Sequence, residues 1–211
     1  MKPHAGVSPP AGRRRSNRPG SNGLSNLKLV RLGQPIRTSE LEAVAVWIRA
    51  AFAGLLEAVE TLDHASLAVD RIEADLLTRA LDEQVGGHIL GITDADLVDA
   101  SATDFFRFVY GAKDNRNHVA VVSTRRIASR DPGRMIARLL KVGLHELGHN
   151  FGLVHHYEYV PAADGACCPM TKGDYNRHGE HSYTRAVIDA RGFRFCDGCR
   201  RFLRLVHPLP A

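Results

Sequence analysis

His145-Glu146-Leu147-Gly148-His149-Asn150-Phe151-Gly152-Leu153-Val154-His155 is the stretch on which the reading turns. Residues four apart on an α-helix share a face, so His145 and His149 can point at a single ion. Glu146 lies about 100° around the helix from His145, placed to stand beside a metal-held water instead of binding the metal. Gly152 can take the left-handed conformation that ends a helix and turns the chain sharply. That turn lets His155 approach the same ion from another direction. Three neutral imidazoles leave a fourth position open, the arrangement of a catalytic and not of a structural zinc.

Working outward, the helix that carries this stretch begins at Asp131-Pro132, an N-cap followed by proline in the first turn. Ile136, Leu139, Leu140, Leu144, Leu147 and Phe151 form its apolar stripe. Upstream, alternating or continuous apolar runs predict strands over 27–32, 66–72, 88–93, 105–110 and 118–124, with a turn over 111–117. A helix is predicted after a Ser39/Glu42 capping box, with Leu41, Val44, Ile48, Ala51, Phe52, Leu55 and Val59 at helical spacing. Ala74 to Gln84 reads as a second helix. Beyond Gly152 periodicity fades, and Cys, His, Gly and Pro dominate.

Charge locates the tail. The chain has 211 residues and a formal net charge of +5. Eight basic residues precede the first acid, Glu40, which leaves 20 basic against 23 acidic residues in the remainder. The basicity therefore belongs to the Pro-, Gly-, Ser- and Arg-rich residues 1–26, expected to be a disordered tail, and a folded body that binds nucleic acid is not expected. No apolar run spans a membrane and the first residues do not read as a secretory signal, so a cytoplasmic protein is expected. Four cysteines, Cys167, Cys168, Cys196 and Cys199, cluster near the end among histidines. In such a setting they read as metal ligands better than as disulfides.

Downstream of His155, Cys168-Pro169-Met170 and Cys196-Asp197-Gly198-Cys199 extend the pattern. With ILGITDADL at 89–97, FVYG at 108–111 and AVVSTRRI at 120–127, the chain resembles the archaemetzincins, a family of metzincin zinc metallopeptidases, over roughly residues 27–205. The resemblance implies an α/β (α+β) fold. Its parts would be a metzincin-like catalytic domain with a mixed twisted sheet, a long active-site helix and an irregular zinc-organised C-terminal subdomain. Residues 27–152 would form its upper part and 153–211 its lower part. It also implies that Met170 forms a Met-turn beneath the metal site and that a second, structural zinc is bound.

One position departs from the family. His156 stands where archaemetzincins have cysteine, and Cys167 is extra. The second site is therefore His156 with Cys168, Cys196 and Cys199, or Cys167 in place of His156; consecutive side chains diverge, which favours His156. By resemblance, Val119, Ala120, Val121, Val122 and Ser123 would form the edge strand along which substrate lies extended; a core strand is the other reading of these apolar residues. Tyr157, Tyr159 and Tyr175 are candidate oxyanion donors, while His178 and His181 read as solvated.

The function expected is that of a zinc-dependent peptidase, monomeric, using two zinc ions and acting on peptide or protein substrates. Glu146 would serve as general base, and aminopeptidase action is worth testing. Two other readings stand beside it: a zinc-organised protein- or RNA-binding module, and a peptidase-like protein whose catalysis is latent.

Overall fold

Strand periodicity puts alternate residues on opposite faces, and the first strand, β1 (Ser25–Leu32), uses it on both sides. Leu27 and Leu29 join one apolar cluster, Val30 and Leu32 another, and all four are buried. The computed structural model describes residues 25–64, 69–100, 109–114, 118–173 and 182–206. Residues 1–24 of the expected tail, Tyr175, His178, His181 and most of the strand expected over 105–110 lie outside that set.

From β1 the chain crosses through α1 (Thr38–Ala51) to β2 (Leu56–His64), which pairs parallel with β1. A short pair, β3 (Arg71–Glu73) and β5 (Asp96–Val98), forms a separate two-stranded parallel sheet. Between them α2 (Ala74–Gln84) leads to β4 (His88–Thr93), parallel on the other side of β1. Parallel neighbours need crossovers of this kind. β6 (Gly111–Asp114) and β7 (Val119–Ser123) complete a five-stranded sheet in the order β2-β1-β4-β7-β6. β7 is parallel to β4, and β6 is antiparallel to β7, so the sheet is mixed.

Helices α1 and α3 (Pro132–Asn150) cover one face, where Leu41, Val44, Ile48, Leu140 and Leu144 meet Leu90, Ile92, Ala120 and Val122. Leu77 and Leu81 of α2 cover the other, against Ile89, Val119 and Val121. The Asp131 carboxylate accepts the Gly133 N–H at 2.9 Å, the cap expected at the start of α3. Beyond α3 come a π-helical turn at Thr184–Ile188 and a last helix, α4 (Asp197–Val206). The larger apolar cluster continues into this region through Leu153, Met170, Tyr183, Ile188, Phe195 and Leu203. No helix among the described residues is long and apolar enough to cross a membrane.

Several expectations need correction. Val119–Ser123 is not the edge strand: β7 lies between β4 and β6, and all five of its residues are buried. The edge on that side is β6, within the stretch expected to be a turn. The first helix starts before Ser39 and does not reach Val59. Arg37 is its cap, and the Glu40 carboxylate accepts the Arg37 backbone N–H at 2.8 Å, so Ser39 and Glu42 lie inside the helix. Leu55 lies beyond the helix and Val59 belongs to β2.

Candidate active site

The last two turns of α3 are buried all round, and they place His145 and His149 on one side. Gly152, at φ 89°, turns the chain immediately afterwards, a backbone conformation that costs glycine least. His155 is thereby returned to the helix. Its Nε2 lies 3.2 Å from His145 Nε2 and 2.9 Å from His149 Nε2. The opposite ring nitrogens are tied down: His145 Nδ1 donates to the Pro169 carbonyl and His149 Nδ1 to the Leu153 carbonyl, each at 2.8 Å.

A carbonyl can only accept, so these two bonds fix the protons on Nδ1 and leave lone pairs on Nε2. With His155 in the same tautomer, its Nε2 lone pair would join those of His145 and His149, at 3.2 and 2.9 Å. The donor set therefore fits a zinc ion, whose ligands include neutral imidazole nitrogen. Burial holds the imidazoles neutral. It pushes His145 well below its ordinary range, with help from Arg191, and brings His149 and His155 to about 4.

Glu146 is buried beside this cluster. Removal from water raises its carboxyl to about 7, against the opposing charges of Arg191 and Lys113. The edge strand packs directly on it: a Cβ placed on Gly111 would stand 2.7 Å from Glu146 Cγ and 2.9 Å from its Oε1. Lys113, two residues on, shares that face of β6. Arg191 is buried and donates from Nε to the Thr171 carbonyl at 2.9 Å. Tyr183 donates to the Lys172 carbonyl at 2.5 Å and stacks on Tyr110 at 5.6 Å. Lys113, Tyr183 and Arg191 carry no local motif and reach the site through tertiary packing; Gly111 closes the FVYG stretch, without a role read for it there.

Met170 is fully buried under α3, where Gly148 leaves room for its sulfur. The segment after the histidines runs beside it: His156 N–H donates to Met170 C=O at 2.9 Å and Lys172 N–H to His156 C=O at 2.8 Å. This pairing carries His156 to a second cluster. Its Nε2 lies 3.1 Å from Cys199 Sγ and 3.5 Å from Cys196 Sγ, and Cys168 Sγ is 3.9 Å from Cys199 Sγ. Cys167 points elsewhere, donating to the Ala190 carbonyl at 3.1 Å. The structure thus gathers His156, and not Cys167, with the three sulfurs. All four cysteines are free. The Cys199 sulfur lies within hydrogen-bond reach of the Cys168 sulfur, which also accepts the Cys196 N–H, and these contacts lower the Cys168 pKa. Three sulfurs and an imidazole fit a structural zinc of the Cys3His kind. Of the candidate oxyanion donors, Tyr159 is engaged with the Ala186 carbonyl at 3.0 Å, whereas Tyr157 is exposed beside His155.

Comparison with known proteins gives a consistent result. The family model Peptidase family M54 matches residues 58–161. An archaemetzincin from Methanopyrus kandleri is 29% identical over 143 residues, 65% of this chain and 70% of that protein. One from Aeropyrum pernix is 34% identical over 122 residues, 57% of this chain and 55% of that protein. The crystal structure of the Methanopyrus kandleri archaemetzincin superposes with a TM-score of 0.66 at 23% identity, over 89% of this chain and 97% of that one. At that identity the superposition speaks for the fold.

Proposed function

Since the chain belongs to the archaemetzincins, peptidase family M54, which are zinc metallopeptidases hydrolysing peptide bonds, we propose that His145, His149 and His155 hold the catalytic zinc and that Glu146 is the general base. The approach of His155 Nε2 to His145 Nε2 and His149 Nε2, at 3.2 and 2.9 Å, beside a buried carboxylate is the observation that carries this reading. A zinc ion held there would supply Lewis acidity, bringing the pKa of a water in its open position to ~7 and polarising the scissile carbonyl.

Glu146 supplies the proton chemistry. Its buried carboxylate accepts a proton from the attacking water, and the acid so formed donates that proton to the departing amine. Pro169 and Leu153 carbonyls orient the imidazoles, so the site is set before substrate arrives. β6, the edge strand beside Glu146, offers its main chain to an extended peptide. His156, Cys168, Cys196 and Cys199 hold a structural zinc that ties α4 to the segment following the histidines.

Glu146→Gln tests the assignment. The variant should retain zinc and fold while its turnover of a peptide library falls at least about 1,000-fold, within the range of single catalytic-group deletions. Full activity in the zinc-loaded variant would overturn the role of Glu146.

A further inference from the structure

A concavity of about 560 Å³ opens near the C-terminal end of β7, lined by Asp96, Arg125, Arg126, Arg138, Thr184 and Arg185. Four guanidinium groups meet there with one lining carboxylate. Arg126 is committed to Asp96 through bonds of 2.7 and 3.0 Å. Arg138 is committed to Asp189, behind the wall, through two bonds of 2.7 Å. Both carboxylates are engaged through both oxygens. Arg125 and Arg185 are exposed and form no ion pair among the described residues. The concavity therefore carries an excess of two positive charges, presented as planar forks that match a carboxylate.

Its position relates it to the catalytic residues. Arg138 precedes His145 by seven residues, so the two share a face of α3 about 10.5 Å apart along the axis. An extended peptide covers that distance in about three residues. A second path leads to the same place. Thr184 Oγ1, in the wall, lies 3.0 Å from the hydroxyl of Tyr110, and Tyr110 immediately precedes Gly111, the edge-strand residue packed on Glu146. The concavity and Glu146 thus flank one end of β6.

We infer that this concavity is an anion subsite of the peptide cleft, taking a substrate carboxylate about three residues from the cleaved bond. Arg125 and Arg185 contact the carboxylate, and Arg126 and Arg138, fixed by their aspartates, shape the wall behind it. The subsite rests on the peptidase reading and gives it a substrate class: peptides acidic near the scissile bond. The carboxylate is that of an Asp or Glu side chain or of the peptide C-terminus, the same chemistry from two sources.

Binding to the zinc-loaded Glu146→Gln protein tests this without requiring turnover. Fluorescein-labelled decapeptides carry one Glu or one Gln at successive positions, each with a free or an amidated C-terminus. At one position, or at the free terminus, the carboxylate should tighten binding about 10-fold, as one charge-assisted bond would. The position identifies a side-chain source, and loss on amidation identifies the terminus. Arg125→Gln/Arg185→Gln should bring the ratio between charged and neutral peptides below about twofold. Equal binding of charged and neutral peptides throughout, or a preference that survives the double substitution, would overturn the subsite. Turnover by the wild-type chain judges the peptidase reading separately, so the two can fail independently.

Discussion

Gly148 and Met170 are in such close contact that a Cβ on Gly148 would stand 2.5 Å from the Met170 sulfur. The Met170 side chain therefore packs directly against the backbone of α3 at this point. Inside a helix, alanine would otherwise be favoured over glycine by about 1 kcal/mol. Gly148→Ala should nevertheless destabilise the zinc-loaded protein by about 1–3 kcal/mol, the cost of overpacking a filled core. A double-mutant cycle with Met170→Ala isolates the contact, because removing the thioether should cancel the alanine penalty. Denaturant unfolding of the four proteins reads it out; additive effects would mean that the crowding is relieved without cost.

Gly111 stands against Glu146 in the same way, from the edge strand. Its missing Cβ would lie 2.9 Å from the Val121 carbonyl as well, so Gly111→Ala must displace either β6 or the carboxylate. A shift of about 1 Å at a reacting group costs on the order of 100-fold in rate. Steady-state hydrolysis should fall by that factor in protein that still unfolds cooperatively above 25 °C. Wild-type turnover by Gly111→Ala would show that Glu146 does not need the strand where it stands.

How far the sequence disclosed this arrangement depended on distance along the chain. His145, Glu146 and His149 occupy one short helical segment, and Gly152 marks the turn that brings back His155, so helical geometry alone gathers them. The parallel strands β4 and β7 were legible because both faces are buried and the residues are mostly apolar, and β1 because Leu27, Leu29, Val30 and Leu32 interrupt its polar residues. β2 was not: its residues are largely exposed, and Leu55 and Val59 fall by coincidence at helical spacing after α1. β6 reads Gly-Ala-Lys-Asp, residues poor in strand propensity, and its neighbour β7 took its place as the expected edge. Arg191 and Lys113 come from the far C-terminal region and from that unrecognised strand, and only the fold brings them to the histidines.

Acid stability should depend on the bond between Arg138 and Asp189. Hydrogen bonds from Arg138 hold the Asp189 carboxyl below its ordinary range, against the burial that raises it. A depressed carboxyl contributes stability above its unfolded pKa of ~3.9, and the contribution is lost as pH falls through the lower folded value. Asp189 is partly exposed, so the contribution should be about 1 kcal/mol at neutral pH. The difference in unfolding free energy between wild type and Asp189→Asn should stay constant from pH 7 to about 4.5 and shrink below pH 4. Comparing the two proteins at each pH cancels the acid release of metal common to both. A difference independent of pH down to 2.5 would place the effect in packing instead of charge.

Metal content separates the two clusters, because they share no ligand although His155 and His156 are adjacent. His155 faces the imidazoles of α3, and His156 faces the sulfurs of Cys196 and Cys199. Protein purified without added metal should contain two zinc ions per chain. His149→Ala should lose one of them and all activity while keeping most of its stability, since the Cys3His cluster still ties α4 to the Met170 segment. Cys196→Ser should lose the other ion. It should also lower stability sharply, because structural zinc binding is folding free energy and is worth up to about 10 kcal/mol in small zinc-dependent folds. His156→Ala should behave as Cys196→Ser does, whereas Cys167→Ala should retain both ions, its thiol being engaged with the Ala190 carbonyl. Loss of an ion from Cys167→Ala with retention in His156→Ala would reverse the ligand assignment. A single ion that survives His149→Ala would put the occupied site among the cysteines alone and remove the basis for catalysis by Glu146.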